Sequence, residues 1–253
     1  MNVPQYGPQY GPQYGPQYGP QYGPQYGPQY GPQYGPPPDV HSRLLSEPFS
    51  AVAPGLRVIL TGDPSALGTD KLAYSINPRL TALLCYRLTP DSFEAAILDK
   101  RHTHAWGLTK QDLWFTALQN MAYEQYDLRT FQTTADAPVH VVMGVDWPGS
   151  AHVMRLVEVA REPMPYGAIV MLPSPNVMVY AVLRSKRSAQ LIPFLFQTFQ
   201  SLADDGEPLT DQLVWWRNGK VTGMDTRPSP EGGVQIRQSE EFSFLLDHEL
   251  PDY

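Results

Sequence analysis

His102-Thr-His104 is the one close pair of histidines in the chain. On a strand, residues two apart point to the same face, so both imidazoles would reach one metal ion. His102 and His104 are therefore the candidate metal ligands. Two ligands do not complete a site, and Asp99, His140 and His152 are the remaining donors to consider. Surface or helix-capping histidines are the simpler reading. Cys85 sits inside the apolar run Leu-Leu-Cys-Tyr, where a small hydrophobe is expected. Only Arg87, two residues on, would add positive charge on its face. An enzymatic site would have to be assembled from His102, His104, Asp99 and Cys85, and the sequence assigns neither a catalytic residue nor a cofactor.

Other spacings fall short of the chemistry they suggest. Between Gly62 and Gly68 stand five residues, Lys71 is displaced and Pro64 removes a donor. A phosphate-cradling loop needs four residues between its glycines and a lysine directly after the second. Gly149-Ser150-Ala-His152 lacks the second glycine of a nucleophile elbow and reads as a helix cap. Asp204-Asp205 and Glu240-Glu241 read as solvated charge.

Contact chemistry is better represented. Trp215 and Trp216 are adjacent, so on a strand their rings face opposite ways. One enters a core, and Trp216 is the candidate exposed anchor for a partner. The chain also opens with eight Pro-Gln-Tyr-Gly repeats, from Pro4 to Gly35. They place Tyr6, Tyr10, Tyr14, Tyr18, Tyr22, Tyr26, Tyr30 and Tyr34 at even spacing, each able to stack or to donate a phenolic hydrogen bond. Weak identical groups in series gain by multivalency. Proline and glycine at every fourth position prevent a packed core, so residues 1–38 are expected to be a disordered, polyproline-like tail. Fully extended it would reach on the order of 100 Å. As a flexible coil it would span about 30–35 Å.

These groups must be held by the remainder of the chain. Residues 39–253 carry all 18 Lys+Arg and all 25 Asp+Glu, a formal charge of −7. That acidity is the opposite of a nucleic-acid footprint. One cysteine excludes an intramolecular disulfide. No apolar run is long enough to span a membrane, and no secretory pattern opens the chain, so a cytoplasmic protein is expected.

Strands are expected over 55–60, 79–88, 93–98, 139–145, 168–172, 177–182 and 214–221, with a last weak one over 242–246. Pro173-Ser-Pro-Asn176 and Asn218-Gly219 mark hairpin turns. Helices are expected from Thr109, capped by a Thr-x-x-Asp pattern, from Ser150, and over 188–202. A short helical turn is expected within 39–48. Paired strands with short connections indicate an α+β fold, mainly antiparallel with about three packed helices. It forms a single domain, with a sub-boundary near 100–104.

His104-Ala-Trp106-Gly107-Leu-Thr-Lys-Gln-Asp-Leu113 through Asn120, the Pro173-Ser174 hairpin and Trp216-Arg-Asn-Gly219-Lys220 together resemble the bacterial DUF1444 (YtpQ-like) family of unknown function. The likeness covers about residues 104–221. It implies an α+β domain and carries over no catalytic residues. The expected function is a non-enzymatic interaction or adaptor domain with a multivalent Tyr/Pro-rich tail. The alternative is an enzyme or metal-binding protein with a site built from scattered His and Asp residues.

Overall fold

A computed structural model describes residues 39–62, 64–133, 137–202, 208–229 and 234–252. The repeat tail, with its eight tyrosines, lies outside them, as do Asp204 and Asp205. The chain enters through helices α1 (Asp39–Ser46) and α2 (Phe49–Val52) and a short 3-10 turn. A small sheet comes next, from β1 (Leu56–Thr61), β2 (Ala73–Asn77), β3 (Leu80–Arg87) and β4 (Ala95–Ile97). β3 is its centre, antiparallel to β1 on one side and to β2 and β4 on the other.

Helices α3 (Lys100–Trp106) and α4 (Lys110–Met121) lead into the large sheet. Its strands are β5 (Tyr126–Phe131), β6 (Val139–Gly144), β7 (Ala168–Ser174), β8 (Val177–Val182), β9 (Thr210–Arg217), β10 (Lys220–Pro228) and β11 (Val234–Arg237). They run in the order β11-β10-β9-β7-β8-β6-β5, every neighbour antiparallel. Between β6 and β7 lie a 3-10 segment (Gly149–Arg155) and α5 (Leu156–Ala160). Between β8 and β9 lie α6 (Lys186–Ala189) and α7 (Ile192–Leu202), and α8 (Glu240–Phe244) comes after β11. The fold is α+β and mainly antiparallel, as expected, but richer in helix than the expected three.

Both faces of the large sheet are covered. Ala168, Val170, Leu172, Met178, Tyr180 and Trp216 join the small sheet and α4 in one core. Ile169, Met171, Val179, Leu213 and Trp215 form a second core with α7 and α8. The first core contains residues from both sides of 100–104, Leu84 and Val170 among them. Trp147 ties its layers together: its ring is fully buried and its Nε1 donates to Val58 O at 2.8 Å.

Local signals behave as their chemistry dictates. Thr109 Oγ1 accepts the Asp112 N–H at 3.2 Å, and Asp112 accepts the Thr109 N–H at 3.0 Å, closing a capping box on α4. Asn218 (φ 51°) and Gly219 (φ 79°) turn β9 into β10. Four expectations need correction. Residues 242–246 are helical rather than extended, because Ser239 Oγ caps α8 by accepting the Phe242 N–H at 3.2 Å. Ser150 caps no helix; a 3-10 segment starts at Gly149, and the helix that follows begins only at Leu156. The 188–202 helix is split in two, its first part capped by Ser185, and its buried face is Ile192, Leu195, Phe196 and Phe199. Trp216 is no exposed anchor: it is 6% accessible, because the large sheet has a core on each face and buries both tryptophans.

Candidate functional site

His102 and His104 lie on a helix, not a strand. Asp99 stops the preceding extended chain (φ −128°, ψ 176°), and its carboxylate accepts the Arg101 N–H at 3.0 Å. Gly107 ends α3 in the left-handed region (φ 64°), which a side chain would disfavour. On a helix, residues two apart point away from each other. His102 is buried, whereas His104 is exposed and donates to Lys100 O at 2.8 Å. The pair cannot share a metal ion.

Instead, His102 meets His41 of α1, 61 residues away in the chain. His41 Nδ1 stands 3.4 Å from His102 Nε2, with ring centroids 5.3 Å apart. His102 Nδ1 lies 3.1 Å from Asp99 Oδ1 and 3.2 Å from the Asp99 N. With its proton on Nδ1, His102 donates to Asp99 and accepts from His41. With the proton on Nε2, it donates to His41 and accepts the Asp99 N–H. Asp99, His102 and His41 thus form a relay in which one proton has two resting places.

The electrostatics bind this group inward. Asp99 is buried and receives Arg101 Nη2 at 2.7 Å and Nε at 3.1 Å, with Lys71 Nζ at 3.9 Å. Burial alone would raise its pKa. The hydrogen bonds from Arg101 and the nearby His102 outweigh it and hold the carboxyl at about 2. Burial lowers the pKa of His102, opposed by Asp99, and burial followed by the His102 charge lowers that of His41. The donor atoms of the three residues all lie within 4.8 Å of one another. With both oxygens of Asp99 engaged by Arg101, its carboxylate fits the role of orienting His102 better than that of ligand. Two imidazole nitrogens remain as the donor pair.

The other named residues are not brought to this place. Cys85 is buried, its thiol donates to Arg57 O at 3.4 Å, and burial pushes its pKa up, so no nucleophilic thiolate forms. His140 sits on β6, stacked on Tyr180 with centroids 4.7 Å apart, and His152 lies on the 3-10 segment before α5. Nothing in the local pattern of Asp-Val-His-Ser-Arg points His41 to a partner so distant in the chain, and sequence reasoning misses it for that reason. The capping signature Asp99…His102 with Gly107 is legible in the sequence.

Among the described residues, no helix is long and apolar enough to cross a membrane. No family model matches the chain, nor does any curated protein or solved structure. These comparisons neither support nor refute the DUF1444 resemblance.

Proposed function

We propose that this chain is a non-enzymatic interaction protein, its folded region carrying a multivalent tyrosine- and proline-rich arm. What supports the reading is that the residues suited to reaction are committed to structure. Asp99 caps α3 and is held by Arg101, His104 is bonded to the Lys100 carbonyl, and Cys85 is sealed in the first core. The arm supplies eight equivalent phenols at even spacing. Full-length protein is expected to scatter more light with rising concentration, and to retain more partner in a pull-down, than a variant with Tyr→Ser at all eight repeat positions. Equal behaviour of the two proteins would remove the arm from the function. Deleting residues 1–38 is expected to leave the melting temperature of the folded region almost unchanged.

One observation favours metal binding as a second reading. The 3.4 Å between His41 Nδ1 and His102 Nε2 matches the edge of a tetrahedron with metal–nitrogen bonds of about 2.0–2.1 Å. Titration with zinc, followed by elemental analysis, is expected to give one bound ion that His41→Ala removes. No retained zinc in the parent protein would exclude it.

A further inference from the structure

A second place among the described residues, lined by none of the Asp99 cluster, has the makings of a ligand site. Where α4 ends at Met121 the chain turns into β5, an edge strand of the large sheet. The 3-10 segment and α5 form the facing wall, which ends at Arg161. A cavity of about 530 Å³ lies between them. That is within the range of small-molecule pockets, roughly 300–1,000 Å³.

Its interior group is His152. This residue is 2% accessible, its ring meets Tyr126 edge-on at 4.8 Å, and its Nε2 is buried with no hydrogen-bond partner among the described residues. Burial, aided by the Arg155 charge, lowers its pKa to about 4, so at neutral pH it is an uncharged imidazole. A buried polar atom without a partner costs free energy unless something arrives to satisfy it.

The charges around the cavity are not equivalent. The Glu124 carboxylate is taken by Arg57 at 2.5 Å and Arg87 at 3.2 Å. Arg155 is taken by Glu158 and the Leu118 carbonyl. Arg161 is exposed, and among the described residues it has no ion-pair partner. It also sits in the left-handed region (φ 53°) without being glycine, a conformation retained against its cost. Apolar surface is supplied by Leu128 at 44% accessible and by Tyr123 at 86%.

We propose that this cavity binds a small hydroxylated aromatic carboxylate. The acid group pairs with Arg161, the unmatched cation. The hydroxyl satisfies His152 Nε2, since a hydroxyl both donates and accepts and so suits either tautomer. The ring lies against Leu128 and Tyr123 and covers them from water. An uncharged relative lacks the pairing with Arg161 and binds more weakly.

The test uses the full chain, with para-hydroxyphenylacetate as probe and para-hydroxyphenylacetamide as its uncharged counterpart. In calorimetric titration the acid is expected to bind with a Kd of about 1 mM or tighter, and the amide about tenfold more weakly. The acid should also move the His152 imidazole nitrogen resonances. Arg161→Gln, at an exposed position, should keep the melting temperature and abolish the preference for the acid. Leu128→Trp, at the mouth, should weaken both compounds. Three results would overturn the proposal: no heat and no shift at His152 up to about 10 mM, equal binding of acid and amide, or an acid preference that survives Arg161→Gln.

Discussion

His102 and His152 are both buried imidazoles whose pKa burial lowers, yet their surroundings differ in one respect. Each ring nitrogen of His102 faces another polar group: Asp99 on one side, His41 on the other. His152 Nε2 faces none among the described residues and lies beside a cavity. The first arrangement is closed, and its polar groups hold α1 against α3. The second has a nitrogen without a partner among the described residues, in a residue that lines a cavity, and this is where the proposed ligand would supply one. Burial and a displaced pKa are therefore common to both histidines; what differs is that the hydrogen-bonding capacity of His102 is already used, whereas His152 adds an unpartnered nitrogen to the lining of a cavity.

The comparison can be broken at three points. The largest effect is expected at Glu124, on the cavity wall. Glu124→Ala would leave Arg57 and Arg87, both largely buried, without their shared carboxylate, and should cost about 3–5 kcal/mol in urea denaturation. A loss below about 1 kcal/mol would show the pair to be solvated.

The next largest is a pH dependence. The folded-state pKa of His152, about 4, lies below its ordinary 6.5, so the unfolded chain takes up the proton first. Its contribution is intact above pH 6.5 and is lost as pH falls to about 4, a change of about 3 kcal/mol. His41 and His102 act in the same direction. His152→Gln should flatten the stability profile across this window, and an unchanged slope would place the acid sensitivity in the other histidines lowered by burial, His41, His102 and His140.

The smallest effect sharpens the closed cluster. Asp99 has its pKa depressed from 3.8 to about 2, so its stabilisation is present above 3.8 and lost as pH falls toward 2. Asp99→Asn should cost about 2 kcal/mol at neutral pH, with the difference from the parent narrowing over that acid range. A constant difference at every pH would assign the cost to the lost cap alone.

What could be read from the residues depended on how local the deciding interaction was. The α4 capping box and the Asn218-Gly219 turn involve groups within three residues of each other, and both were legible. The β7–β8 hairpin was legible for the same reason. The approach of His41 to His102 was not, because it depends on packing between helices far apart in the chain. β5 was also missed: only Tyr126 and Leu128 alternate with Asp127 and Arg129 before Thr130 breaks the pattern, and the strand is exposed along most of its length. The wall of the proposed cavity is therefore the part of the sheet that sequence periodicity reveals least. Trp216 failed differently. Alternation correctly put the two tryptophans on opposite faces, but not that helices cover one face and a second sheet the other.

The burial of Trp147 between the layers has a consequence during synthesis. β1 to β4 are complete by Ile97, but the core they share with Leu84 and Val58 includes Trp147 and Val170, made much later. At about 5–20 residues per second, the interval is several seconds. Over that time the nascent small sheet has α4 but not the large sheet against it, so its apolar face stays incompletely covered until the tryptophan leaves the ribosome and docks.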